Sequence, residues 1–258
     1  MALETYIDGL QSVLERIKRE QAGNIRSAGL VVADALAAGG VIHTFGTGHS
    51  HLIAHEAFFR AGGIAGVNPI LDERLIFLQG ALESSRAERE TGLARSILER
   101  EDVNASDAAI IISNSGRNAV PVEMTHEMKA RGVKVIAITN LEQSLGSPAT
   151  HSSGKRVCEL ADVTIDNCVP SGDALLSLPG LDTRIAPAST VAGAAIINSI
   201  IVEAVSELLQ RGETTGVLPS ANVEGVTEET LKEILGAYKG RIKYLDVDVP
   251  PVTSKAKG

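Results

Sequence analysis

Two segments of small polar residues follow apolar runs and precede stretches with helical periodicity. The first, which we call the glycine loop, is Gly46-Thr47-Gly48-His49-Ser50, and the second, the serine loop, is Ser113-Asn114-Ser115-Gly116-Arg117-Asn118. Where a strand ends and a helix begins, backbone N–H groups lack partners and the helix dipole is positive, which favours phosphate. Glycine allows a ligand to approach closely, and serine hydroxyls add uncharged hydrogen bonds. The pattern therefore predicts an anion-binding crevice where two neighbouring strands end.

Each loop by itself also fits an ordinary turn, because Gly, Ser and Asn are common after strands for conformational reasons alone. Two other phosphate-binding motifs do not match the chain. A dinucleotide-binding GxGxxG needs glycine where His51 stands, and the Gly-Lys-Ser/Thr of a Walker A motif is missing. The prediction depends on the presence of two similar loops in one alternating pattern of strands and helices.

Three histidines and a glutamate lie close together after the first strand. His49, His51 and His55 form an H-x-H-x3-H pattern, and a helix would place His51 and His55 on one face. A metal site, a substrate or acid-base role, and plain packing are all open for them, but no acidic ligand stands at a matching step, so we predict no metal. Glu56 precedes Arg60 by one helical turn, which allows either a catalytic base or a structural ion pair.

Composition excludes several classes of protein. The 258 residues are 44% hydrophobic and carry a formal net charge of -8, with no cluster of lysine and arginine, so we expect no nucleic-acid partner. The acidic residues near the start do not suit a secretory signal, and uncharged apolar stretches stay shorter than the roughly 18 residues of a membrane span. Cys158 and Cys168 show no metal-binding spacing and suit reduced thiols. We expect a cytoplasmic protein with no membrane contact and no cofactor.

Apolar periodicity predicts the elements that position the loops. Buried strands are predicted over residues 41–45, 66–70, 108–112, 133–138 and 163–166, and helices over 2–38 with a break near Gly23, 49–61, 88–101, 118–131, 188–210 and 227–237. This alternation predicts an α/β fold, a three-layer, doubly wound, five-stranded parallel sheet. We divide the chain into an N-terminal helical segment (1–37), a central domain (38–210) and a C-terminal helix and tail (211–258). Residues 72–80 could form a lid or part of the pocket.

The glycine loop, the Ser113-x-Ser115-Gly116 motif and Pro187-Ala188-Ser189-Thr190 before the last long helix together resemble the sugar isomerase (SIS) domain family. The family includes phosphoheptose isomerase, arabinose-phosphate isomerase and N-acetylmuramic acid 6-phosphate etherase. The resemblance spans about residues 38–210. It implies a flavodoxin-like sheet between helices, a phosphosugar ligand held by serine-rich loops, and a homodimer or homotetramer with sites near subunit contacts.

The resemblance also assigns roles to individual residues. It implies that the phosphate is held by Ser113, Ser115 and Asn118 and by the amides of Asn114 and Gly116. The sugar side of the pocket would be lined by Gly46, Thr47, Gly48, His49 and Ser50. Ser189 and Thr190 would close the pocket, and the same pair also fits an ordinary N-cap.

Catalysis is the part of the family pattern from which this chain departs. In several family enzymes a glutamate on the helix after the glycine loop moves the proton, at positions that hold Arg60 and Gly63 here. We therefore name Glu56 and His55 as candidate catalytic residues. The leading hypothesis is aldose-ketose isomerisation of a phosphorylated sugar, with an amino sugar as one option. A non-catalytic sugar-phosphate sensor and an etherase-like lyase are the alternatives.

Overall fold

Five parallel strands form one sheet in the computed structural model, which describes residues 1–245. They are β1 (Ile42–Gly46), β2 (Val67–Ile70), β3 (Ala108–Ile112), β4 (Lys134–Thr139) and β5 (Val163–Asp166), in the spatial order β2-β1-β3-β4-β5. The α/β class and the five-stranded parallel sheet are confirmed, and each strand lies within about one residue of its predicted position. The extended tail expected after residue 237 lies partly outside the described residues.

Helices cover both faces of the sheet. They are α1 (Ala2–Glu20), α2 (Ala22–Ala37), α3 (Ser50–Glu56), α4 (Ala81–Ala87), α5 (Leu93–Leu98), α6 (Ala119–Ala130), α7 (Leu141–Leu145), α8 (Val157–Leu160), α9 (Ser189–Arg211) and α10 (Glu228–Gly236). A short antiparallel pair, β6 (Ala174–Leu176) and β7 (Ile185–Pro187), leads into α9 and was not predicted.

Three predicted helices differ from those observed. The first breaks at Gln21, two residues before Gly23. The second ends at Glu56, well before the glycine pair, and Phe59 adopts a φ of 42° shortly after it. The predicted helix 88–101 is reduced to α5: α4 ends before it, and α5 starts only after Gly92, whose φ of 86° is a left-handed conformation that interrupts a helix.

The sheet separates two apolar cores because successive strand residues point to opposite faces. Ile110 and Ile112 of β3 pack in one core with α2 and α9, whereas Ala109 and Ile111 pack in the other core with α5 and α6. Helices α2 and α9 approach closely at Gly29, where an added Cβ would lie 2.5 Å from the Cβ of Glu203. The sheet that carries the two loops is therefore packed on both faces.

Among the described residues, α9 alone has the length and apolar composition of a membrane-crossing helix. Nearly half of its most apolar window is buried, and Ile196, Ile197 and Ile200 lie in the core shared with α2. These contacts are those of a core helix.

A buried ionic cluster lies at the amino ends of the strands, at the opposite end of the sheet from the two loops. The carboxylate of Asp107, which is fully buried, accepts hydrogen bonds from Val41 N–H (2.9 Å), Asn104 N–H (2.7 Å) and Arg241 Nη2 (2.8 and 2.9 Å), and lies 3.1 Å from His43 Nε2. Burial by itself raises the pKa of this carboxyl, but the hydrogen bonds from His43, the two amides and Arg241 outweigh it and lower the pKa to about 2. The cluster joins the C-terminal segment to β1 and β3.

We expect Asp107 to make the fold sensitive to acid. Because its folded pKa is depressed from 3.8 to about 2, its contribution is present above pH 4 and is lost as the pH falls toward 2. The shift corresponds to roughly 2 kcal/mol of unfolding free energy. Urea unfolding at pH 6, 4 and 2.5 should show the wild type converging on Asp107→Asn as the pH falls. The exposed-site variant Asp182→Asn serves as control, and a gap between wild type and Asp107→Asn that stays constant with pH would contradict the assignment.

Candidate functional site

The two loops lie side by side at the carboxyl ends of the strands. Strands β1 and β3 are neighbours, and the register pairs Gly46 with Ile112, so the glycine loop and the serine loop leave the sheet at the same level. The crevice predicted from the sequence therefore has both of its walls at the ends of adjacent strands.

Close packing gives the glycine loop its shape. A Cβ on Gly46 would lie 2.5 Å from the carbonyl oxygen of Ser50, so this position accepts no larger residue without a shift of the backbone. Gly48 has a φ of 54°, and its N–H donates to the carbonyl of Leu75 at 2.9 Å. Phe77 lies against Gly48 and its ring centroid is 5.1 Å from that of His49. Leu75 and Phe77 of the segment 72–80 thus contact the glycine loop.

The histidines after β1 are dispersed. His49 and His55 are exposed, the ring of His51 bonds to the carbonyl of Gly48 through Nδ1, and His55 stacks on Phe58. Among residues 1–245, no group of three His, Cys, Asp or Glu side chains is placed to hold a metal ion.

Internal hydrogen bonds shape the serine loop. Ser113 is buried and its Oγ accepts from the Gly116 N–H at 3.1 Å, with Gly116 at a φ of 60°. Asn114 is held by its Oδ1, which accepts from Asn167 Nδ2 at 2.5 Å. The half-buried hydroxyl of Ser115 has no hydrogen-bond partner among the described residues. Two predicted phosphate ligands therefore maintain the loop, and Ser115 keeps a free donor.

Glu88 joins the two loops, and sequence reasoning missed it. Its carboxylate accepts from Thr47 Oγ1 at 2.9 Å and from Asn118 Nδ2 at 2.8 Å, while its backbone carbonyl accepts from Val120 N–H at 3.1 Å. Arg89 Nη1 lies 3.2 Å from the same carboxylate, and the Glu88 side chain is only 19% exposed. In the sequence this glutamate belongs to a charged run that reads as a solvated surface, so no local signal distinguishes it.

At the start of α9, the Pro187-Ala188-Ser189-Thr190 motif is bound by a side chain of the protein itself, that of Asp173. Asp173 Oδ1 accepts from the N–H groups of Ala188 (3.0 Å) and Ser189 (2.7 Å), and its Oδ2 accepts from Ser189 Oγ at 2.6 Å. An aspartate thus neutralises the positive end of α9. The Ser189 hydroxyl is bound to Asp173, and Thr190 is half-buried beside it.

Glu56 and His55, the residues named for catalysis, lie on α3 beyond the glycine loop. Glu56 forms an ion pair with Arg60 and accepts from Asn198 Nδ2 at 3.3 Å. This is the structural alternative stated for Glu56 above. A catalytic role for either residue stays a prediction.

The chain has relatives among known proteins, both in sequence and in overall fold. The family model described as the SIS domain matches residues 5–140. A UPF0309 protein of Thermoanaerobacter pseudethanolicus is 42% identical over 95% of this chain and all of its own length, and one of Listeria innocua is 38% identical over 96% of this chain and all of its own. In fold, the chain is similar to a phosphoheptose isomerase of Neisseria gonorrhoeae, with a TM-score of 0.50 at 13% identity over 77% of this chain and 94% of the isomerase.

Removing the Asp173 carboxylate should destabilise the start of α9. Asp173→Ala deletes three hydrogen bonds to that helix, and loss of a helix cap costs about 0.5–2 kcal/mol. Urea unfolding measures the difference, with the exposed Asp182→Ala as matched control. An Asp173→Ala protein as stable as the wild type would show that the cap contributes nothing.

Proposed function

Since this chain belongs to the SIS-domain family, we propose that it binds a phosphorylated sugar across the glycine and serine loops and interconverts its aldose and ketose forms. One observation carries the proposal: the Glu88 carboxylate is held between the two loops by Thr47 and Asn118. A carboxylate so placed lies beside both the expected phosphate and the expected sugar.

The phosphate is assigned to the amino end of α6. The hydroxyl of Ser115 and the N–H groups of Ser115 and Asn118 have no acceptor among the described residues, so they can donate to an anion. The Gly116 and Val120 N–H groups are already used by Ser113 and Glu88. Neutral donors at a helix amino end suit a dianionic group in a protein whose own net charge is negative.

The sugar is assigned to the glycine loop. Ser50 supplies a hydroxyl at the start of α3, and Phe77 with His49 forms an aromatic wall over Gly48. Phe77 belongs to the segment 72–80, and its contact with His49 and Gly48 supports the inclusion of this segment in the pocket.

Glu88 is assigned as the general base. Isomerisation needs a group that removes the proton from carbon 2 of the open-chain aldose and returns it to carbon 1 of the enediolate. Glu88 has a carboxylate for this proton, and its hydrogen bonds to Thr47 and Asn118 fix its direction. Glu56 lies on α3 beyond the glycine loop, where it contacts Arg60 and Asn198 and neither the serine loop nor Thr47.

A non-catalytic sugar-phosphate binder is the second candidate. Arg60 and Gly63 stand where several family enzymes have their glutamate, and this departure favours it. The homodimer or homotetramer and the cytoplasmic location stay predictions in either case.

Ser115→Ala should weaken binding without abolishing it. The variant removes one hydroxyl donor to a charged group, a change of roughly 1.5–3 kcal/mol, or about 10- to 150-fold in Kd. Titration calorimetry with fructose 6-phosphate and glucosamine 6-phosphate measures it, with Ser147→Ala in the next polar loop as control. Equal affinities for the wild type and Ser115→Ala would remove the serine loop from the site.

Glu88→Gln should retain ligand binding and lose turnover. The amide keeps the shape of the side chain but cannot accept the proton, and loss of a general base lowers the rate by about 10²- to 10⁴-fold. Proton exchange at carbon 2, followed by NMR in heavy water with hexose, pentose and aminohexose phosphates, reports the step directly. Glu90→Gln, an exposed neighbour, and Glu56→Gln are the controls.

The outcomes separate the candidates. Full exchange by Glu88→Gln with loss in Glu56→Gln would move the base to Glu56. Saturable binding with no exchange by the wild type would favour the non-catalytic binder. Release of lactate from N-acetylmuramic acid 6-phosphate would instead identify a lyase.

A further inference from the structure

A cavity of about 410 Å³ opens at the amino end of α6, beside the serine loop. Asn118 and Ala119 form one wall, and Arg89, Arg117 and His151 line the others. The volume is in the range of small-molecule sites, roughly 300–1,000 Å³. Because Asn118 belongs both to the cavity and to the proposed phosphate site, a single ligand can occupy the two together.

The ionisable residues that line this cavity are all basic. They are Arg89, Arg117 and His151, and they contrast with the net charge of -8 of the whole chain. A second polar cavity of about 440 Å³ is mixed, with Asp72 and Glu73 beside its basic residues. The mixed cavity is neutralised by its own side chains. In the cavity at α6, two of the three basic groups face neighbouring carboxylates, so its attraction for an anion comes from Arg117.

Arg117 has a guanidinium available for that anion. Its Nη1 donates to the carbonyl of Pro148 at 3.4 Å, and within residues 1–245 no carboxylate lies within 4.0 Å of it. Thr150 Oγ1 donates to the Arg117 carbonyl at 2.7 Å, which fixes the backbone of this residue against the neighbouring loop. A guanidinium matches carboxylate and phosphate oxygens with two parallel hydrogen bonds.

The other lining groups complete the site in different ways. The guanidinium of Arg89 pairs with the Glu88 carboxylate, so Arg89 lies between the cavity and the two loops. The His151 side chain is 11% exposed; Ser153 N–H donates to its Nδ1 at 3.2 Å, and its Nε2 lies 3.5 Å from the Glu123 carboxylate. The ring therefore serves as a wall. Ser152 adds a hydroxyl with no partner among the described residues.

We propose that this cavity binds a second acidic group of the same ligand, so that the substrate is a phosphosugar carrying an additional carboxylate or phosphate. The inference rests on the proposed function, because it takes the first phosphate to sit on the serine loop. Arg117 holds the second group, and the hydroxyl of Ser152 supports it.

Calorimetry with two matched pairs of probes tests the proposal. Glucose 6-phosphate against 6-phosphogluconate adds a carboxylate, and fructose 6-phosphate against fructose 1,6-bisphosphate adds a phosphate. In at least one pair, the doubly acidic member should bind about tenfold or more tightly, with one ligand per chain. Arg117→Gln should bring that ratio close to one, and Ser152→Asp, which puts a carboxylate into the cavity, should bring it below one.

Arg95→Gln, an exposed change of the same charge on α5, is the matched control and should keep the wild-type ratio. Equal affinities within both pairs would overturn the inference and leave the proposed function intact. A preference that survives both Arg117→Gln and Ser152→Asp, or a stoichiometry of two, would overturn it as well. Absence of binding by every probe would overturn the proposed function together with it.

Discussion

The carboxylate of Glu88 is the interaction on which the candidate site depends. It accepts one hydrogen bond from each loop, through Thr47 and Asn118, and its own backbone carbonyl receives the Val120 N–H of α6. Two loops that are distant in sequence are thereby held at one separation. The partly buried carboxylate is stabilised by these donors and by Arg89, which offsets the cost of removing it from water.

Polar groups at the amino ends and at the carboxyl ends of the strands have different roles, although their chemistry is similar. At the amino ends of the strands, the Asp107 carboxylate is bound by His43, Arg241 and two backbone N–H groups. Its contact with Arg241 joins the C-terminal segment to the sheet. At the carboxyl ends of the strands, the Ser115 hydroxyl and the N–H groups of Ser115 and Asn118 have no acceptor within residues 1–245. Fully satisfied polar groups stabilise a fold, whereas accessible donors around an open crevice are available to a ligand.

Asp173 shows how the positive amino end of a helix can be filled by the protein's own side chain, so that it does not bind a ligand. The amino end of α9 has the positive dipole and the small hydroxyl residues of an anion site, as the amino end of α6 does. At α9 an aspartate of the chain itself fills that position and binds Ser189. At α6 the side chain of the N-cap residue Asn118 donates to Glu88 and does not cap the helix, and the Asn118 N–H has no acceptor within residues 1–245.

The sequence by itself determined the parallel sheet and the place of the two loops, because apolar strands and glycine- or serine-rich turns are local signals. It also permitted the Glu56–Arg60 pair, since one helical turn separates the two residues. Glu88, Asp173 as a cap, and the basic cavity around Arg117 were decided by tertiary structure alone. Each depends on which distant segments meet: Glu88 reads as surface charge until the chain places it between two loops, and no local pattern encodes that meeting.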